Sequence, residues 1–148
     1  MSKPIYVLNG PNLNRLGTRE PEIYGTKTLE EVEAMCRAAA GAYPVVFRQT
    51  NAEHQLVDWI HEAVDEGAGI IINPAGLSFR SIPILDALKM FPGPIIELHI
   101  TNVHRREAIY HHSLMSSVAT AVMMGLGTDG YPTAVGALLR MLKAAASR

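Results

Sequence analysis

Five short runs rich in Ile and Val, separated by amphipathic stretches, constrain this chain more than any other feature. They are Ile5 to Leu8, Val45 to Arg48, Gly69 to Ile72, Ile95 to Ile100 and Ala119 to Met124. Near-continuous apolar runs of this length are what parallel strands buried on both faces require. Between them, apolar residues recur at helical spacing from Leu29 to Ala42, from Glu53 to Glu66 and from Ile82 to Met90, with a last such pattern from Thr133 to Ala146. Thr28 with Glu31, and Thr50 with Glu53, have the spacing of a capping box at a helix start. Strands alternating with helices predict a three-layer α/β fold: one five-stranded parallel sheet, right-handed crossovers and helices on both faces. At 148 residues the chain is expected to be one domain, 1–148, since no repeat or linker divides it.

Composition removes several function classes. A net charge of -1 argues against a general binder of nucleic acid or of anionic membranes. One cysteine, Cys36, excludes an internal disulfide and suits a reducing compartment. No apolar run reaches membrane-spanning length, and Met1 to Leu8 is too short and too polar for a signal peptide, so a cytoplasmic location is expected.

Parallel α/β sheets bind ligands beyond the carboxyl ends of their strands, near the point where strand order reverses. Five polar segments follow the strand ends: Asn9 with its loop, Gln49 to Asn51, Asn73 to Ser78, Glu97 to His104, and Gly125 to Tyr131. Chemistry concentrates in the first, third and fourth. The first, Asn9 to Gly25 (NGPNLNRLGTREPEIYG), holds almost nothing that builds a core and has no period of its own. Loops of this kind serve a ligand or a lid, the plainer alternative being a solvated loop in which Tyr24 merely packs. Arg19 lies five residues before Tyr24, and an arginine near a phenol favours the phenolate, turning tyrosine into a usable base.

In IIELHITNVHRRE, Glu97 and His99 alternate with Leu98 and Ile100, so both project from one strand face. A carboxylate beside an imidazole fixes its tautomer and favours its protonated form, which gives a proton donor at neutral pH. A buried, merely satisfied pair is the competing interpretation. Asn73, opening an NPAG turn, is equally a turn former or a ligand donor on spacing alone. The spacings of His99, His104, His111 and His112 match no helical ligand pair, so no metal is expected. Phosphate-loop and dinucleotide signatures are absent, as is a nucleophile elbow around any serine. What remains is a tyrosine base with an arginine and a histidine acid with a glutamate, a set suited to eliminating water beside a carbonyl.

These motifs, VLNGPNLNRLGTREPEIYG, INPAG, IIELHITNVHRRE followed by HHS, and GLGTDGY, resemble the type II 3-dehydroquinate dehydratases of the shikimate and quinate pathways over essentially the whole chain. The resemblance implies a flavodoxin-like sandwich and a lyase that converts 3-dehydroquinate to 3-dehydroshikimate by anti-elimination through an enolate. It also implies no cofactor or metal, and a dodecamer of four trimers. Carried onto this chain, Tyr24 is the base with Arg19 lowering its pKa, Asn12 positions a water at the enolate, and His99, paired with Glu97, protonates the leaving hydroxyl. The substrate carboxylate lies against Asn73 and the N–H groups of Ile100 and Thr101. Asp86 reaches a neighbouring subunit's site, and Arg106 stands near the lid.

Two positions depart from the pattern. Phe79 replaces a histidine, and Tyr110 an arginine, that touch the substrate's ring hydroxyls. Each lost hydrogen bond weakens binding by roughly 0.5–3 kcal/mol unless another group, such as Arg80 pointing inward, replaces it. Two alternatives follow: the same dehydration on a related cyclic hydroxy-keto acid, or a non-catalytic flavodoxin-like assembly that binds small anions. Arg19, Tyr24, Glu97 and His99 together speak against the second, because a binding module has no use for a matched acid and base.

Overall fold

The computed structural model describes residues 2–148. Five strands, β1 (Ile5–Asn9), β2 (Val45–Gln49), β3 (Gly69–Asn73), β4 (Ile95–His99) and β5 (Ala121–Met124), form one sheet in the order β2-β1-β3-β4-β5. Every neighbouring pair is parallel. The helices are α1 (Pro21–Tyr24), α2 (Leu29–Ala40), α3 (Glu53–Glu66), α4 (Ile82–Leu88) and α5 (Gly130–Ala146). This is the expected five-stranded α/β sandwich, and its strand order is the flavodoxin-like one.

The two-residue period of the strands sorts the core into two layers. Ile5 and Val7 of β1 join Val32 and Cys36 of α2 and Ala134, Val135 and Leu138 of α5 on one face. Tyr6 and Leu8 join Leu56 and Ile60 of α3 and Ile84 and Leu88 of α4 on the other. A fully buried Ile or Leu contributes about 1.5–3 kcal/mol, well above the roughly 0.7 kcal/mol that separates the helix propensities of ordinary residues, so these layers hold the helices in place. No helix among the described residues is long and apolar enough to cross a membrane.

Several expectations need correction. Three strands run one residue further than their apolar cores suggest, to Asn9, Gln49 and Asn73, because ladder pairing continues under polar side chains. β4 stops at His99, and β5 begins at Ala121. Helices α2 and α4 end two residues early, and α5 starts at Gly130. Burial on both faces holds for β1, β3 and β4 only; β2 and β5 are sheet edges and half-buried, with Val122 40% exposed. The Thr28 capping box forms, Thr28 Oγ1 accepting from Glu31 N at 3.2 Å and Glu31 Oε1 accepting from Thr28 N at 3.3 Å. The Thr50 box does not. Ala52 is the N-cap of α3, and the Thr50 hydroxyl instead accepts from Ala52 N and donates to Gln55.

The chain leaves β1 outward to β2, then crosses back to place β3 on the other side of β1. The strand order therefore reverses between β1 and β3, whose ends meet tightly. Gly10 N donates to Asn73 O at 2.8 Å, and a Cβ on Gly10 would lie 2.5 Å from Pro74 O. Only glycine fits here.

Candidate active site

A cavity of about 180 Å³ opens over the carboxyl ends of β1, β3 and β4, beside this reversal. Its floor comes from the Asn73 turn and from His99, Ile100 and Thr101. Its walls are Pro11, Asn12, Leu13, Arg19 and Tyr24 after β1, with Phe79, Arg106 and Tyr110 opposite.

The loop after β1 is built otherwise than its composition suggests. It folds into a short turn, Leu13–Arg15, and helix α1, with Pro21 at the helix start, where its missing N–H costs nothing. Leu13, Leu16 and Tyr24 all enter the core layer of α2 and α5, so the loop does carry core residues. Tyr24 is 9% exposed yet lines the cavity. The guanidinium carbons of Arg19 and Arg106 lie 4.7 and 5.8 Å from its ring centroid. Asn12 adopts a left-handed backbone, φ 73°, which asparagine tolerates better than most residues. Its N–H donates to Asn51 Oδ1 at 2.9 Å, and the same oxygen accepts from Gln49 Nε2 at 3.1 Å. Thus the second strand-end segment, without chemistry of its own, holds the first in place.

Glu97 and His99 point to one face of β4, as their spacing predicts. His99 Nε2 and Glu97 Oε2 are 2.5 Å apart, and Ser116 Oγ donates to Glu97 Oε1 at 2.6 Å. Glu97 is fully buried behind His99 and does not line the cavity. Burial pushes the Glu97 carboxyl up, but hydrogen bonding to His99, Ser113 and Ser116 outweighs this and holds it below its ordinary range. The pair therefore keeps a negative charge behind the imidazole, and leaves Nδ1 as the ring nitrogen without a protein partner among the described residues.

Asn73 proves to be both turn former and cavity residue. Its Oδ1 accepts from Ala75 N at 3.2 Å, fixing a turn in which Ala75 has φ 53°, and its Nδ2 donates to Tyr131 Oη at 2.9 Å. Tyr131, wholly buried, donates in turn to Asn9 Oδ1 at 2.7 Å. One phenol thus ties the ends of β1 and β3 together. Nothing in the spacing of GLGTDGY signalled this, because the partners lie up to 122 residues away.

Phe79 stacks on the His99 ring, with centroids 6.1 Å apart at 28°, and meets the edge of Tyr110 at 5.4 Å. Arg80 is exposed and does not line the cavity, so it does not take the inward-pointing position from which it could hydrogen-bond a ligand there. Asp86 is also outside: it sits exposed on α4, 3.8 Å from Lys89. His104, His111 and His112 line a separate surface groove. Among the described residues no group of three or more His, Cys, Asp or Glu is placed to hold a metal ion.

Comparison with known proteins places this geometry in a family. Residues 3–139 match the model described as dehydroquinase class II. A 3-dehydroquinate dehydratase of Bartonella bacilliformis is 53% identical over 145 residues, which cover 97% of this chain and 92% of that one. The 3-dehydroquinate dehydratase 2 of Agrobacterium fabrum is 52% identical over 137 residues, 91% of this chain and 93% of its own. Among solved structures, the type II dehydroquinase from Propionibacterium acnes superposes with a TM-score of 0.90 at 44% identity, covering 95% of this chain and 98% of that one. With the match spanning nearly every element around the cavity, the chain belongs to the class II dehydroquinase family.

Proposed function

We propose that this chain is a cofactor-independent lyase that dehydrates 3-dehydroquinate to 3-dehydroshikimate, acting as one catalytic domain. The observation that carries the reading is the meeting, in one cavity, of Tyr24 beneath two guanidinium groups and His99 backed by a buried carboxylate. The relatives named 3-dehydroquinate dehydratase supply the substrate.

In this mechanism the Tyr24 oxygen removes a proton from C2, and the C–H electron pair moves towards the C3 ketone to form an enolate. Arg19 and Arg106 set positive charge beside the phenol while it carries negative charge. Asn12 orients a water at the enolate oxygen. The enolate then collapses, the C1–O bond breaks, and His99 gives its proton to the departing hydroxyl, so water leaves and a conjugated enone remains. Glu97 stabilises the charged imidazole before that transfer. Asn73 donates one Nδ2 hydrogen to Tyr131 and keeps the other for the substrate carboxylate, which the N–H groups of Ile100 and Thr101 also hold. Returning the Tyr24 proton to His99 through solvent closes the cycle.

Purified protein mixed with 3-dehydroquinate should develop the ultraviolet absorbance of the enone, and a flat trace at high enzyme concentration overturns the reading.

The same reading extends to assembly as a dodecamer of four trimers, in which Asp86 completes a neighbouring subunit's cavity. Its exposure outside this chain's own cavity, beside the exposed apolar Ile82 and Met90, supports that role. Sedimentation equilibrium should give a mass near that of twelve chains, and a stable monomer would refute the assembly. A free, buried Cys36 supports a cytoplasmic location.

A further inference from the structure

The side of the cavity opposite the β1 loop is a stack of planar groups. The Arg106 guanidinium carbon lies 4.1 Å from the Tyr110 ring centroid, Tyr110 meets Phe79 edge-on, and Phe79 lies along the His99 imidazole. Phe79 and Tyr110 are half-buried and both line the cavity. Arg106 and the Tyr110 hydroxyl are the polar groups of this side; the other polar side chains of the lining lie on the β1 loop and at the ends of β3 and β4: Asn12, Arg19, Tyr24, Asn73, His99 and Thr101. A ring held by its carboxylate, its ketone and its leaving hydroxyl has one edge left, and the part of that edge turned to Phe79 meets aromatic carbon.

We propose that Phe79 leaves the part of the substrate ring turned to it unread, so that the enzyme also dehydrates a cyclic 1-hydroxy-3-oxo carboxylate lacking the remote hydroxyl that would face it. The inference rests on the dehydratase reading above. A hydroxyl facing Phe79 finds no donor or acceptor on that side chain and is satisfied only through water, so its presence adds little to binding. A methylene in the same place loses no partner and buries its hydrogens against the ring. The chemistry is unchanged for such a substrate. Tyr24 takes the C2 proton, the C1–O bond breaks, His99 protonates the leaving oxygen, and water and an enone result. The missing hydroxyl enters no bond that forms or breaks.

The test compares kcat/KM of the wild-type enzyme, read as enone absorbance, on 3-dehydroquinate and on its 4-deoxy and 5-deoxy analogues. A site built to hydrogen-bond a substrate hydroxyl rejects the analogue lacking it by as much as about 10⁴-fold, whereas an unread edge keeps at least one analogue within about tenfold of the parent. Losses beyond tenfold on both analogues overturn the proposal and leave the dehydratase reading intact. No enone from any of the three compounds overturns both. A second arm uses Phe79→His, which puts an N–H donor in the ring's place and should widen the preference for 3-dehydroquinate over the better analogue by about tenfold. An unchanged preference in a folded, active variant counts against Phe79 as the cause.

Discussion

At the scale of single residues, the proposed acid and base differ in how much else they do. Tyr24 packs in the core layer of α2 and α5 while lining the cavity, and Phe keeps that packing and removes only the oxygen. Tyr24→Phe should therefore leave the thermal midpoint nearly unchanged and lower kcat by about 10²–10⁴-fold, the range of a lost general base. A variant that keeps a tenth of wild-type turnover is not missing its base. The Glu97 and His99 pair was legible because a two-residue period fixes the strand face without knowledge of anything distant. Tyr131 was not, since its partners Asn9 and Asn73 are its neighbours only once the sheet has formed. The same holds for Ser116 behind Glu97 and for Asn51 beneath Asn12. Groups proposed to touch substrate announce themselves by type, while those that hold them in place are an ordinary tyrosine, serine and asparagine until the chain folds.

Among the elements, what could be read from sequence was whatever depends on local spacing. The five strands and four long helices follow from apolar period and length, and the Thr28 box follows from two residues three apart. The Thr50 box failed because a competing local turn, in which Ala52 N donates to Thr50 Oγ1, satisfies the same hydroxyl. Helix α1 escaped notice since its one turn is too short to show a period, and its burial of Tyr24 comes from contact with another element. The junction of β1 and β3 carries the sharpest prediction at this scale. In Gly10→Ala the new methyl meets the Pro74 carbonyl oxygen at 2.5 Å and its carbon at 2.8 Å, both backbone atoms that cannot rotate away. The strand ends must part, at a cost of about 1–3 kcal/mol in urea denaturation, with Asn12 and its loop displaced and activity reduced. An unchanged denaturation midpoint would show that the two strand ends accommodate a methyl group without parting.

For the whole molecule, buried acids set a limit on the alkaline side. Burial pushes the Cys36 thiol up from 9.0 to about 12, and raises the Tyr131 phenol above its ordinary 10.0 despite the hydrogen bond from Asn73. The folded chain then keeps protons that the unfolded chain releases, so stability is whole below about pH 9 and falls as pH rises towards 12, by up to about 1.4 kcal/mol per pH unit for each group. Urea midpoints compared near neutrality and near pH 11 should show this decline, and equal midpoints would mean these groups are not buried as acids. The order β2-β1-β3-β4-β5 was not legible in the runs themselves, because an Ile- and Val-rich strand has much the same composition at the rim as at the centre. That order is also what makes the molecule one-sided. The residues assigned to the chemistry lie between the middle of a strand and its carboxyl end, or in the helices and loops that follow it. The turns that enter the strands, at Pro4, Pro44, Ala68, Pro94 and Thr120, carry none of it. Those entry turns are where a dye, a surface tether or a relocated chain terminus can be engineered with the catalytic rim left in its native form.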